Sequence, residues 1–139
     1  MSPAYPALNC IVVDCLVPRH LGDFYRDLLG YEYRPSDQTP NDGEDWLVIE
    51  APGGTPRLAF QGNPEYVPPV WTPDPDRPGE QQMMLHLDLT VPDVEALEQQ
   101  RIRVLELGGA ALYDRTDDAD EPLYVFADPS GHPFCILVV

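Results

Sequence analysis

The sequence predicts an α+β protein in which two tandem βαβββ modules form a curved mixed sheet around a cavity. A proline-rich run at residues 63–78 divides the chain into two parts of similar size. Each part has the same order of strand-like runs around one amphipathic helix, and the glycines and prolines between these elements recur at near-constant spacing. At 139 residues a single domain is expected, with module 1 at about 6–62, a linker at 63–82 and module 2 at about 83–139.

The first module begins with an apolar run at residues 8–13, which is typical of a buried strand. Pro18 then opens a helix, since a missing N–H is tolerated in the first turn, and Gly30 ends it. The apolar residues of this helix share one face: Leu21, Phe24, Tyr25, Leu28 and Leu29. Three further strands are expected at residues 31–34, 46–50 and 57–61. A Pro52-Gly53-Gly54 turn connects the last two of them.

The second module has the same order of elements. An alternating strand at residues 86–91 precedes a helix at about 93–107, which Pro92 introduces and Gly108-Gly109 stop. The remaining strands are predicted at residues 110–113, 123–127 and 134–139. A turn at residues 128–131 connects the last two of them.

Turn residues of the two modules pair at a near-constant offset. The pairs are Gly30 with Gly108, Pro52 with Pro129, Gly54 with Gly131 and Pro56 with Pro133. A four-stranded sheet with one helix has only one of its faces covered, so a second copy, in the same chain or in a partner subunit, is expected to close the other face. The cavity left at the junction is the expected ligand site.

Composition excludes several classes of function. The formal net charge is −16, from 8 Lys+Arg against 24 Asp+Glu, which disfavours nucleic acid and anionic membranes as partners. The chain has no lysine, which excludes lysine Schiff-base chemistry. The N-terminus lacks the pattern of a signal peptide, and Cys10, Cys15 and Cys135 have no framework spacing, so we expect reduced thiols in the cytoplasm.

Three segments and the linker add a family resemblance. They are IVVDCLVPRHLGDFYRDLLGYE, HLDLTVPDVEALEQQ, FADPSGHPFCILV and the linker WTPDPDRP. The chain resembles the vicinal-oxygen-chelate superfamily (glyoxalase, bleomycin-resistance and dioxygenase proteins), and the glyoxalase-like subgroup most closely. The resemblance covers nearly the whole chain, and the DP-x-G hairpin is its most specific part.

In metal-using members the resemblance implies ligands on the first and last strands of each module. His86 stands where the family places a histidine, and Cys135 stands where a glutamate is usual. Cys10 matches a position often filled by His or Glu. The fourth position is ambiguous between Leu58, from a gapless repeat alignment, and Ala59, from a one-residue slip that brings Gln61 to the same face.

The candidate site residues have alternative interpretations. Cys10, His86 and Cys135 form a chemically feasible Cys2His set for a divalent ion such as zinc, nickel or manganese, but both thiols lie in strongly apolar strands, which favours packed core residues. Without a metal, His86 is a candidate for orienting a ligand or acting as a general acid or base; it alternates with Asp88 and Thr90 on one face. Trp71 either caps the site as an aromatic lid or only pins the linker to the sheet.

Two functions follow from these residues and the resemblance. The first is a metal-free protein that binds a small organic molecule, with Cys10, Gln61, Trp71, His86 and Cys135 as candidate ligand contacts. The second is a glyoxalase-like lyase or isomerase that uses His86 with a divalent metal. The family habit of pairing modules between chains also implies a homodimer.

Overall fold

The computed structural model describes residues 4–72 and 74–139. Residues 1–3, and Pro73 within the predicted linker, lie outside the described residues. The elements follow in this order: β1 (Ile11–Cys15), α1 (Pro18–Leu29), β2 (Glu32–Tyr33), a 3-10 turn (Pro35–Asp37), β3 (Trp46–Glu50), β4 (Arg57–Gly62), β5 (Pro69–Val70), β6 (Gln81–Gln82), β7 (Leu87–Val91), α2 (Val94–Glu106), β8 (Ala110–Arg115), β9 (Leu123–Ala127) and β10 (Pro133–Val138).

The chain divides into two compact units, one ending at Pro64 and the other running from Glu65 to Val139. Each unit has a four-stranded mixed sheet, in the order β1-β4-β3-β2 in the first and β7-β10-β9-β8 in the second. In both sheets the first strand pairs parallel with the last, and the other pairings are antiparallel. The predicted α+β class with two similar βαβββ modules is therefore confirmed. The proline-rich segment is grouped with the second unit, where β5 and β6 form a short parallel ribbon.

The helix of the first unit packs on one face of its sheet. The ring of Tyr25 stacks on that of Phe60 in β4, with 5.9 Å between centroids and 11° between planes. Because strand side chains alternate between faces, Leu58 shares the helix side with Phe60, whereas Ala59 and Gln61 point to the opposite side. Gly30 ends α1 in the left-handed conformation (φ 70°), as its position in the sequence predicts.

The helix of the second unit is fixed by a side-chain cap and by buried apolar residues. The carboxylate of Asp93 accepts a hydrogen bond of 2.7 Å from the amide of Ala96, and Leu97 and Val104 are fully buried. Tyr124 in β9 donates a 3.0 Å hydrogen bond to Glu98 of α2, which identifies the face of the sheet that the helix covers. Phe126 and Phe134 lie on that face by strand alternation, with 5.5 Å between ring centroids.

Some predicted boundaries were wrong by a few residues. β1 begins at Ile11 instead of residue 8, because Ile11 is the first residue in register with β4, opposite Leu58. β8 extends to Arg115, since Asp114 and Arg115 still pair with β9.

Within the described residues, no helix is long and apolar enough to cross a bilayer.

Candidate functional site

The face of the second sheet that points away from α2 has its own apolar cluster. Val125, Cys135 and Leu137 are buried there, and the indole of Trp71 and the side chain of Leu123 pack against them. Trp71 follows directly after β5, which pairs with β6, so the short ribbon anchors the part of the proline-rich segment from which the indole reaches the cluster. This arrangement favours the interpretation of Trp71 as a cover for the sheet.

Polar side chains from β7 border this cluster. Asp88 is paired directly with Cys135 across the parallel strands, and His86 lies two residues before Asp88, on the same side. Nε2 of His86 is 3.2 Å from Oδ1 of Asp88. The imidazole of His86 also meets the indole of Trp71 edge to face, with 5.0 Å between centroids and 65° between planes.

Three different donor types therefore converge in the second unit. One ligand atom each from His86, Asp88 and Cys135 lies within 4.8 Å of the others. Asp88 and His86 keep 58% and 31% of their side-chain surface exposed, whereas Cys135 is only 5% exposed. The site is thus open to solvent at the carboxylate and closed at the thiol.

The Cys135 thiol is held in its protonated form. Burial, followed by the neighbouring carboxylate of Asp88, raises the pKa of Cys135 from 9.0 to about 11. A nucleophilic cysteine needs the opposite shift, because the thiolate is the reactive species. The contact with Asp88 therefore does not activate Cys135 as a nucleophile.

The register of the first unit decides between Leu58 and Ala59. β1 pairs with β4 so that Val12 lies opposite Ala59, as Asp88 lies opposite Cys135 in the second unit. Ala59 also points away from its helix, as Cys135 does. The structure therefore supports the one-residue slip, and Ala59 is the counterpart of Cys135. Applying the same register along β1 makes Val12 the counterpart of Asp88 and Cys10 the counterpart of His86.

The slip has a specific origin in the turn between the last two strands of each module. In the first unit the amide of Ala51 bonds the carbonyl of Pro56, and in the second the amide of Asp128 bonds the carbonyl of His132. The two turns share one hydrogen bond: the amide of Gly54 donates to the carbonyl of Ala51, and the amide of Gly131 donates to the carbonyl of Asp128. The turn of the first unit is nevertheless one residue longer. The predicted pairing of Pro56 with Pro133 was wrong, since Pro56 corresponds to His132.

The structure brings together some of the predicted site residues. Trp71, His86 and Cys135 lie close together in the second unit, and Asp88 lies beside them. Strand alternation in the sequence predicts that Asp88 shares a face with His86, but it does not identify Asp88 as a ligand. Cys10 and Gln61 belong to the first unit, where Cys10 is half-buried with Asn9 Nδ2 at 3.9 Å from its sulfur and Gln61 is exposed at the end of β4. Asp88 was missed as a donor because its cross-strand partner is set by the parallel register, which sequence periodicity does not reveal.

Comparison with known proteins agrees with this architecture. A sequence profile described as the glyoxalase-like domain matches residues 10–137. No curated protein matches the chain in sequence.

Solved structures give the same fold at low sequence identity. The chain is similar to a glyoxalase/bleomycin resistance protein/dioxygenase family enzyme from Burkholderia phytofirmans PsJN, with TM-score 0.68, 14% identity and coverage of 94% of this chain and 97% of that one. A glyoxalase/dioxygenase from Nostoc punctiforme has TM-score 0.60, 20% identity and coverage of 99% and 97%. A fosfomycin resistance protein from Mesorhizobium loti has TM-score 0.64, 10% identity and coverage of 98% and 94%.

The profile match extends over most of the chain, and the two modules have the strand order described above. This chain belongs to the glyoxalase-like domain family.

Proposed function

We propose that this protein binds a small organic molecule at the second module, without needing the full metal-ligand set implied by the family resemblance. The observation that supports this most directly is the packing of Trp71 on the cluster of Val125, Cys135 and Leu137, with His86 at the edge of the indole. An aromatic and apolar surface bordered by a few polar groups is the usual composition of a small-molecule site.

The charge of the chain narrows the class of ligand. A formal net charge of −16 and the exposed carboxylate of Asp88 disfavour anions and favour cationic or neutral molecules. Contact with the indole of Trp71 would suit an aromatic or cationic group, because the face of an indole attracts both.

A thermal-shift screen in the presence of a chelator tests this proposal. Cationic antibiotics, glutathione adducts and aromatic metabolites are the compounds to compare, since a ligand at a hundredfold excess over its Kd stabilises the native state by roughly 2.7 kcal/mol. We expect a hit whose stabilisation is lost in Trp71→Ala and His86→Ala. Trp46→Phe, a conservative change at a half-exposed tryptophan of the first unit, is the matched control. A hit that both site variants retain would contradict this location.

A second candidate function is a divalent-metal-dependent lyase or isomerase of the glyoxalase type that uses His86. The cluster of His86, Asp88 and Cys135 favours it, because three donors with an open side are typical of catalytic metal sites. A bound divalent ion would supply Lewis-acid chemistry, and these three side chains are the ones that would hold it. At the counterpart positions the first module offers only Cys10, since Val12 and Ala59 have no donor atoms.

Metal analysis separates the two candidates. Protein purified without chelator or metal affinity is measured for zinc, nickel and manganese, and turnover of glyoxalase-type substrates is assayed after each metal is added. A stoichiometric metal and activity that both disappear in His86→Ala would support the enzyme. Activity that stays at the uncatalysed rate with every metal would rule it out.

The same proposal includes assembly and compartment. We expect a homodimer in the cytoplasm, from the family habit of pairing modules between chains and from three cysteines that remain thiols. Sedimentation equilibrium distinguishes a dimer from a single chain of 15.6 kDa, and a mass equal to the single chain would contradict the dimer.

A further inference from the structure

We infer that the second module alone forms a thiolate-containing site for a zinc-class cation, with His86, Asp88 and Cys135 as its protein ligands. This inference rests on the second candidate function and deepens it by naming the class of metal that these three donors select. It does not require the protein to be catalytic.

The first support is the rigidity of the donor positions. Cys135 lies on β10, which is hydrogen-bonded on both sides, to β7 through Asp88 and to β9 through Val125. Asp88 is the direct cross-strand neighbour of the thiol, so the separation of their Cβ atoms is set by the sheet. His86 is already in contact with the same carboxylate. Small side-chain rotations are all that a shared ion would require of three atoms within 4.8 Å.

The second support is the chemistry of the donor set. One imidazole nitrogen, one carboxylate oxygen and one sulfur form a set that zinc, cobalt and cadmium accept, whereas magnesium, manganese and calcium prefer oxygen donors. The family resemblance implies a glutamate where Cys135 stands, so this chain replaces a hard donor with a soft one. The substitution predicts a change in metal preference, not only a loss of affinity.

The third support is that the second module supplies enough protein ligands to hold the cation without the first. Three protein ligands leave one position of a tetrahedral zinc site for water or for a ligand. The exposed carboxylate of Asp88 marks the open side, and Trp71 packs on the apolar cluster that contains the thiol. Val12 and Ala59, the first-module counterparts of Asp88 and Cys135, cannot add ligands.

Cobalt spectroscopy on the full chain without an affinity tag tests the inference directly. Metal-free protein is titrated with Co²⁺, and absorbance is followed in the near-ultraviolet thiolate-to-cobalt charge-transfer band and in the visible bands of tetrahedral cobalt. We expect one Co²⁺ per chain, displacement by Zn²⁺ and Cd²⁺, and no displacement by excess Mg²⁺ or Mn²⁺. The charge-transfer band should disappear in Cys135→Ser and persist in the matched controls Cys10→Ser and Cys15→Ser.

Asp88→Ala supplies a second variant at an exposed position, where a folding failure is not expected. It should weaken Co²⁺ binding roughly tenfold or more while far-ultraviolet circular dichroism stays unchanged. Absence of a charge-transfer band in the parent chain, its survival in Cys135→Ser, its loss in Cys10→Ser or full Co²⁺ affinity in Asp88→Ala would each overturn the inference. Because binding of organic ligands is measured with chelator present, failure of this site leaves the small-molecule proposal standing, and the reverse also holds.

Discussion

The indole of Trp71 and the imidazole of His86 meet edge to face, 5.0 Å apart between ring centroids. Trp71 comes from the proline-rich segment and His86 from the residue before β7, so the contact connects a loop to the sheet. The same indole packs against the apolar cluster of Val125, Cys135 and Leu137. One aromatic ring therefore contacts both the cluster that contains the thiol and the imidazole beside it.

Removing this ring should expose the thiol. In Trp71→Ala we expect the alkylation rate of Cys135 by iodoacetamide to rise roughly tenfold or more, because the cluster that buries the sulfur loses the indole that packs on it. Peptide mass spectrometry of time-quenched samples measures the rate at each cysteine. Alkylation at Cys15, which is fully buried in the first unit, is the internal control. An unchanged rate at Cys135 would mean that Trp71 does not protect it.

The raised pKa of Cys135 predicts a loss of stability in alkaline solution. The thiol ionises near 9.0 in the unfolded chain and near 11 in the folded one, so the unfolded state releases its proton first as the pH rises. The free energy of unfolding should therefore fall between pH 9 and pH 11, by about 2 kcal/mol from this group. Below pH 9 this contribution to the pH dependence is absent.

Urea denaturation across this pH range, with chelator present, measures the effect. Cys135→Ala removes the titrating group and should have a shallower decline than the parent chain between the two pH values. Equal slopes in the two proteins would show that Cys135 ionises at the same pH in both states.

The carboxylate of Asp37 should be essential for the stability of the first unit. Asp37 is buried and accepts hydrogen bonds of 2.6 Å from Nε of Arg34 and 2.9 Å from the amide of Val48. In Asp37→Ala the buried amide of Val48 loses its partner, so we expect unfolding to become easier by about 2–3 kcal/mol. Chemical denaturation tests this, with Asp42→Ala at an exposed loop position expected to change stability little. Equal stabilities of the two variants would contradict the structural role of Asp37.

Gly109 should not accept a side chain. A Cβ atom at this position would lie 2.6 Å from Cγ1 of Val104 and 2.9 Å from the carbonyl oxygen of Ala127. Val104 is fully buried and the carbonyl belongs to the end of β9, so neither can move without disturbing the core. We expect Gly109→Ala to lower the melting temperature and to reduce stability by about 2 kcal/mol. Gly62→Ala is the comparison, since its added Cβ would stay at 3.4 Å or more from its neighbours, and an equally large loss there would point to a general cost of replacing glycine.

Local patterns predicted the helices and most strands closely. Pro18 and Gly30 bound α1, and Asp93 caps α2, because helix ends depend on side chains within one turn of the terminus. The predicted ranges at 46–50 and 123–127 match β3 and β9 residue for residue. These are short-range features, which a single sequence contains in full.

The candidate site was predicted only in part, because it depends on the register of strands that are distant in sequence. The resemblance and strand alternation indicate His86 and Cys135, and the place of Trp71 in the proline-rich linker indicates it as a contact, but neither identifies Asp88 as a donor. Pairing of Asp88 with Cys135 depends on the register of two strands separated by a helix and two further strands. Likewise, the extra residue in the turn at 51–56 shifts β4 by one position relative to β10. A gapless alignment of the two modules therefore pairs Cys135 with Leu58, although its structural counterpart is Ala59.

The sequence by itself determined the α+β class, the duplication of the module and the acidic net charge. These follow from periodicity, turn residues and composition, which are properties of neighbouring residues or of the whole chain. Only the tertiary structure decided that Ala59 faces away from its helix, that Asp88 joins His86 and Cys135, and that Trp71 packs on the cluster that contains Cys135. Each of these depends on which distant residues are paired, and a shift of one residue in a strand exchanges its two faces.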